Sequence, residues 1–98
     1  MQEHFIDELR GRIDNFDREI VNLLCCRMDM CGFIGEYKKS CGIKSIRDPI
    51  REEALMTNLE AYSSYEGLVR KIWPVIIEYS RELQEGKHTI KGVDGFEG

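Results

Sequence analysis

A chain of 98 residues, of which 42% are hydrophobic and 33% charged, has the composition of one small globular domain. Its net charge of −4 argues against nucleic acid as a partner, because binding nucleic acid needs a basic face. No apolar stretch is long enough to span a membrane, and the charged N-terminus MQEHFIDELR is unlike a signal peptide.

Four cysteines are spread over the first half of the chain. They lack the paired C-x-x-C spacing of zinc sites, and both histidines are remote from them. Without a secretion signal, reduced thiols are expected. The sequence therefore predicts a cytoplasmic protein with no metal and no other cofactor.

The first predicted element is a long helix from about Phe5 to Lys39. Its apolar residues recur in steps of three and four, a heptad pattern kept for about thirty residues. Arg27 occupies the one position of this stripe that is not apolar. Such a helix would be about 50 Å long. A chain of this size cannot cover it alone, so a partner chain is expected. The stripe consists of Ile6, Leu9, Ile13, Phe16, Ile20, Leu23, Met30, Ile34 and Tyr37.

A loop follows, with Gly42 placed to end the first helix. Asp48 is a natural N-cap, and Pro49 then occupies the first helical position, where its missing N–H costs nothing. The second predicted helix runs from Pro49 to about Tyr62. Its residues expected to face inward are Ile50, Ala54, Leu55 and Leu59.

The third predicted helix covers about Tyr65 to Glu85. Pro74 predicts a kink, or a helix that restarts at Trp73, because proline removes a hydrogen bond inside a helix. The last residues, GKHTIKGVDGFEG, are rich in glycine and predict a flexible tail. The residues expected to face inward are Leu68, Val69, Ile72, Trp73, Ile76 and Ile77.

Several polar residues fall on the inner faces of these helices. Arg27 is on the first stripe, Lys38 projects from nearly the same face, and Ser80 and Gln84 continue the third stripe. Inward cations and hydrogen-bonding groups indicate a site for a small anionic ligand, because arginine matches the shape of a carboxylate. The other members of the set are Arg10, beside the first stripe, and Arg51 and Glu52, next to the cap at Asp48.

Each of these residues also has a purely structural interpretation. Arg27 can extend to solvent, or pair across a helix interface with an acid such as Glu19 or Asp17. Serine and glutamine near a helix end often belong to a frayed turn. Asp48 is primarily a cap, and the charges that follow it can be surface charges. The ligand-site hypothesis explains the whole set with one cause.

Arg10 and Arg27 are separated by about 25 Å along one helix. They cannot contact the same small molecule from a single chain. If both bind one ligand, they come from different chains, which agrees with the partner that the long helix needs.

Four segments of this chain resemble the all-helical chorismate mutases of the bacterial type. These are LRGRIDNFDREIVNLLCCRMDM, GEYKK, RDPIREEAL and IIEYSRELQ. The similarity covers about Ile6 to Gln84. It implies an all-α domain at residues 1–85, with three helices per chain in an intertwined homodimer, followed by the tail at residues 86–98.

The resemblance also implies roles for the polar residues. Arg10 would be donated to the other subunit's site, while Arg27 and Lys38 would hold the carboxylates of chorismate. Lys38 and Gln84 would face its ether oxygen. Asp48 and Glu52 would bind the ring hydroxyl of chorismate, and Arg51 and Ser80 would line the site. The chain departs from the family pattern in two ways. The span from Arg51 to Gln84 is about one helical turn shorter than in family members, and Pro74 interrupts the third helix.

The implied reaction is the intramolecular rearrangement of chorismate to prephenate, a step of aromatic amino-acid biosynthesis. One alternative is an isochorismate-pyruvate lyase of the same fold, against which Glu52 argues, because lyase-type relatives lack a matching acid. Another is a non-catalytic regulatory or dimerisation module, which gives no reason for polar residues to face inward.

Overall fold

The computed structural model describes residues 2–44 and 47–91, and these form three α-helices without a β-strand. The helices are α1 (Gln2–Ser40), α2 (Pro49–Glu60) and α3 (Leu68–Gln84). The predicted all-α class is confirmed. The chain divides into two compact units, Met1–Met30 and Cys31–Gly98. Most of the predicted flexible tail, residues 92–98, lies outside the described residues.

The first unit consists of the N-terminal part of α1, which begins slightly earlier than predicted. None of its described residues, 2–30, is buried within the chain. The apolar stripe is instead open: Phe16 is 61% exposed and Leu23 is 70% exposed. Arg27 is half-buried. The chain alone therefore leaves the heptad stripe uncovered.

The C-terminal end of α1 is closed by Gly42, as predicted. This glycine has φ +70°, a left-handed conformation that side chains disfavour. Its amide donates to the carbonyl of Lys39, and the Ile43 amide donates to the carbonyl of Lys38 at 2.8 Å. These two bonds form a Schellman motif. The helix thus ends two residues after Lys38.

Helix α2 begins as the sequence predicts. The Asp48 carboxylate accepts a hydrogen bond from the Arg51 amide at 3.1 Å, and Pro49 is the first helical residue. The predicted inner face is only half right. Leu55 and Leu59 are half-buried, whereas Ile50 is 84% exposed and Ala54 is exposed. At about 100° per residue, Ile50 lies opposite Leu59, so the four residues occupy two different faces.

Helix α3 carries the buried core of the second unit. The hydrophobic residues that it buries are Val69, Ile76 and Ile77, which recur at helical spacing on one face. Pro74 lies inside this helix on an exposed position. The predicted restart at Trp73 is wrong. Because the helix continues through Pro74, Val69 before it and Ile76 and Ile77 after it lie on the same face and are buried together. The burial of these apolar side chains offsets the hydrogen bond that Pro74 removes.

The end of α3 is closed by a second Schellman motif. Gly86 has φ +78°, and the amides of Gly86 and Lys87 donate to the carbonyls of Leu83 and Glu82. His88 then turns back onto the helix. Its ring stacks on Tyr79 with centroids 3.9 Å apart, and its Nε2 lies 2.8 Å from Glu82 Oε1. These contacts hold the last turn of α3.

Helices α2 and α3 pack against each other, and Arg70 links their exposed sides. Its guanidinium donates to Glu53 at 2.7 Å, to Glu60 at 3.0 Å and to Thr57 at 3.2 Å. The hydrogen bond from Arg70 holds the pKa of Glu53 below its ordinary value. None of the helices in the described part of the chain is both long and apolar enough to cross a membrane.

This ion pair makes a testable contribution to stability. Because the Glu53 pKa is lower in the folded state, its contribution is full above the ordinary carboxyl pKa and disappears as the pH falls through the lowered value. We expect Glu53→Gln to lower the Tm slightly at pH 7 and to match the parent at a pH below that lowered value. The effect is small because the pair is exposed. Glu78→Gln, which removes an exposed acid of α3, is the control. An equal loss at both pH values would contradict the assignment.

Candidate active site

Polar side chains link the end of α1 to the end of α3, and the start of α2 to the last turns of α3. All of these side chains belong to the Cys31–Gly98 unit. We call this set the polar cluster; it consists of Lys38, Arg47, Glu52, Ser80, Arg81 and Gln84.

Lys38 and Gln84 form the first contact of the polar cluster. Lys38 is two residues before the end of α1, and Gln84 is the last residue of α3. The Lys38 Nζ donates to the Gln84 Oε1 at 3.3 Å, and both residues are half-buried. This bond involves only the amide oxygen of Gln84. The amide nitrogen keeps its two hydrogens to donate to another acceptor. The pair offers a cation and a neutral donor side by side.

Glu52 forms the second contact, and it is held by two arginines. Arg47 lies 3.5 Å from Glu52 Oε1, and Arg81 lies 3.5 Å from Glu52 Oε2. The Glu52 side chain is only 17% exposed. Each carboxylate oxygen thus has its own cation, which restricts rotation of the group.

Arg47 and Arg81 are additions that the sequence analysis missed. Arg81 directly follows Ser80 and precedes Gln84 by three residues, so its place on α3 was a usable signal. Arg47 precedes the cap in a loop, where no periodicity indicates the direction of a side chain. The packing of α2 against α3 brings Arg81 to Glu52, whereas Arg47 reaches the same carboxylate from the loop just before α2.

Ser80 lies deep in the second unit. It is 5% exposed, and its hydroxyl donates to the carbonyl of Ile76 at 2.7 Å. A residue this buried is not part of a frayed turn, so that interpretation of Ser80 is wrong. Its inward position is confirmed.

Asp48 and Arg51 are exposed at the start of α2. The Asp48 carboxylate is engaged with the Arg51 backbone amide, as its capping role requires. Asp48 is the cap of α2, and Arg51 and Glu52 lie in the first turn that follows it, so the cap fixes the backbone from which Glu52 projects.

Arg10 and Arg27 belong to the other unit, Met1–Met30. Arg10 is exposed and Arg27 is half-buried. Both lie in α1, which makes their separation along the helix about 25 Å. The structure therefore keeps the two arginines too far apart to hold one small molecule from a single chain.

The chemistry available in the polar cluster is binding and charge stabilisation. Lys38 can hold a carboxylate, and the Gln84 amide can donate to an oxygen that gains negative charge. Within residues 2–44 and 47–91, no three of the His, Cys, Asp and Glu side chains are grouped so as to hold a metal ion.

Comparison with known proteins agrees with this chemistry. The family model described as chorismate mutase type II matches residues 9–85. A chorismate mutase of Methanocaldococcus jannaschii is 29% identical over 82 residues, which cover 80% of this chain and 82% of the relative. The match begins inside α1, covers α2 and α3, and includes every residue of the polar cluster. The chain therefore belongs to the chorismate mutase type II family, whose members are isomerases.

Proposed function

We propose that this chain converts chorismate to prephenate as an intertwined homodimer, at two sites that each use residues of both subunits. The observation that carries the catalytic part is the half-buried Lys38–Gln84 pair, in which the Lys38 Nζ donates to the Gln84 Oε1 at 3.3 Å and so lies beside the donor nitrogen of the same amide. The name of the archaeal relative supports the same substrate.

The rearrangement breaks a C–O bond of chorismate while a C–C bond forms in the same molecule. No proton leaves or enters, so the enzyme has two tasks. It holds the folded conformer of a flexible dianion, and it places donors where negative charge grows on the ether oxygen. In this proposal Lys38 and the Gln84 amide donate to the ether oxygen, while Arg27, Lys38 and the partner's Arg10 hold the two carboxylates.

The acidic residues serve the other end of the substrate. Glu52, held between Arg47 and Arg81, accepts the hydrogen bond of the ring hydroxyl together with Asp48. Arg51 and Ser80 line the site. In this arrangement the negatively charged substrate is the partner of the cations in the site. This explains why Arg27 occupies a position on an otherwise apolar stripe.

The apolar surface of the chain supports the homodimer. In the first unit, the stripe that would form a core is 41–70% exposed, from Leu9 to Leu23. Exposed apolar faces of this extent mark interaction surfaces. A heptad pattern is self-complementary, so a second copy of the chain is the natural partner. We also place the enzyme in the cytoplasm, because its four cysteines are thiols.

The direct test follows the loss of chorismate absorbance with the purified protein, with isochorismate assayed in parallel. We expect turnover of chorismate to prephenate. Release of pyruvate from isochorismate as the faster reaction would favour the lyase, and binding without turnover would favour a regulatory module. Light scattering tests the dimer, and a monomer with full activity would contradict shared sites.

A further prediction concerns Arg81. Removing it leaves one oxygen of the partly buried Glu52 without its cation, and hydrogen bonds to charged groups are worth about 1.5–3 kcal/mol. We expect Arg81→Ala to lower kcat/KM about tenfold or more.

Arg70→Ala is the matched control, because Arg70 also bridges α2 and α3 but on their exposed sides. It should lower the Tm and leave kcat/KM within about twofold of the parent. If both variants lose the same activity in proportion to their stability, Arg81 serves only to join the helices.

A further inference from the structure

Of the α1 residues that the structure describes, Gly35 is the one that is buried. It lies three residues before Lys38, on nearly the same face of the helix. Glycine weakens a helix interior relative to alanine. Helix stability therefore does not account for a glycine at this buried position, and the reason must lie in the atoms around it.

The surroundings are the backbone of Gln84. A Cβ atom added at Gly35 would lie 2.9 Å from the Gln84 Cα, 3.1 Å from its carbonyl oxygen and 3.3 Å from its Cβ. The first distance is shorter than van der Waals contact allows, and two of the three atoms are backbone atoms that cannot rotate away. Helices α1 and α3 thus touch backbone to backbone at this point, as only glycine permits.

This contact determines the geometry of the Lys38–Gln84 pair one turn later. The Nζ–Oε1 distance of 3.3 Å is already at the long end for a hydrogen bond. A side chain at Gly35 would move the end of α3 away from α1 and lengthen this bond further.

We propose that Gly35 is a positioning residue of the active site, which holds the end of α3 close enough to α1 for Lys38 and Gln84 to act on the same atom. The inference rests on the proposed function. A displacement below 1 Å is enough to matter, since catalysis depends steeply on the placement of donors.

The test compares Gly35→Ala with Gly32→Ala. The chain offers this matched control because a Cβ at Gly32 meets nothing within 4 Å, although the two glycines lie in the same helix. Both variants gain helix propensity. We expect Gly35→Ala to lower kcat by about tenfold to a hundredfold with a smaller change in KM. Gly32→Ala should stay within about twofold of the parent.

A second measurement separates positioning from a general loss of structure. In a Gln84→Ala background the amide donor is already gone, so adding Gly35→Ala should cost little more activity. A full additional loss in that background would overturn the positioning role, as would parental kcat in Gly35→Ala.

The double variant Gly32→Ala/Gly35→Ala covers the case in which Gly35→Ala alone does not fold. Gly32→Ala adds helix propensity that offsets the crowding. A folded double variant should show the same fall in kcat. If neither variant folds, Gly35 is a structural residue and the positioning role is wrong.

Failure of this inference is distinguishable from failure of the proposed function. If the parent does not turn over chorismate, the proposed function fails, whatever Gly35 does. The NMR signals of the Gln84 side-chain amide then still report on the contact. They should shift in Gly35→Ala and not in Gly32→Ala, and unchanged signals in both would overturn the inference.

Discussion

Gln84→Glu should lose at least a hundredfold in kcat/KM near neutral pH and recover part of it in acid. The size follows from the general cost of removing one donor to a developing negative charge, about 10²–10³ in kcat. A carboxylate accepts hydrogen bonds but does not donate them unless it is protonated. At neutral pH the introduced group would place a negative charge where the substrate also gains one.

The structure sharpens this expectation. The Gln84 Oε1 already accepts from Lys38, so an introduced carboxylate would form an ion pair with the cation of the site. That pair lowers the pKa of the introduced carboxyl and also neutralises Lys38. Activity should therefore rise only as the pH falls well into the acid range. The measurement is kcat/KM between about pH 4 and 8, beside the parent.

Gln84→Ala serves as the control for this pH profile. It removes the donor without adding a titrating group, so its activity should be low at every pH. A profile of Gln84→Glu that follows the parent would remove Gln84 from the site. Recovery in acid by both variants would show that some other group titrates.

Mixing two inactive variants should restore about a quarter of the parental activity. The variants are Arg10→Ala and Arg27→Ala, each nearly inactive because every one of its sites lacks a cation that binds substrate. They are unfolded and refolded together so that subunits exchange. With random pairing half of the dimers are mixed, and one of the two sites in a mixed dimer contains neither lesion.

The physical reason is the separation of the two arginines along α1. At about 25 Å they reach the same substrate only from different chains. In a mixed dimer one site then collects both lesions and the other receives two intact arginines. Half of the dimers with half of their sites intact amounts to about a quarter of the parental activity.

The control is a mixture of Arg27→Ala with Lys38→Ala. Both residues are assigned to the same chain's contribution, so each site of the mixed dimer retains one lesion and no activity returns. Mixed dimers are identified by mass after one subunit carries an isotope label. Mixed dimers without recovered activity in the Arg10 and Arg27 pair would contradict both the shared sites and the role of Arg10.

Local signals in the sequence were enough for the end of α1 and the start of α2, whereas α2 ends at Glu60 and α3 begins at Leu68, two and three residues from the predicted Tyr62 and Tyr65. Gly42 ends α1 and Asp48 caps α2 because such signals act through the backbone of a few neighbouring residues. The heptad pattern likewise predicted an apolar stripe that one chain leaves exposed. The motif segments were specific enough to identify the family, since they combine several distant polar residues.

Errors arose where faces had to be assigned without knowledge of the neighbouring element. Ile50 and Ala54 were grouped with Leu55 and Leu59, although the helical period puts them on different faces. Pro74 was expected to kink α3 or to make it restart at Trp73, yet α3 runs through it without a restart. Local propensity is a weak guide when tertiary packing opposes it.

The sequence by itself determined the helical class, the helix caps, the exposed stripe and the family, because these depend on spacing and on residue types close together in the chain. The contacts of the polar cluster depend on tertiary structure. Residues 46 positions apart meet in the Lys38–Gln84 pair, and Glu52 meets Arg81 from another helix. Such contacts depend on how closely two helices approach each other. At Gly35 helices α1 and α3 approach closely because glycine has no side chain.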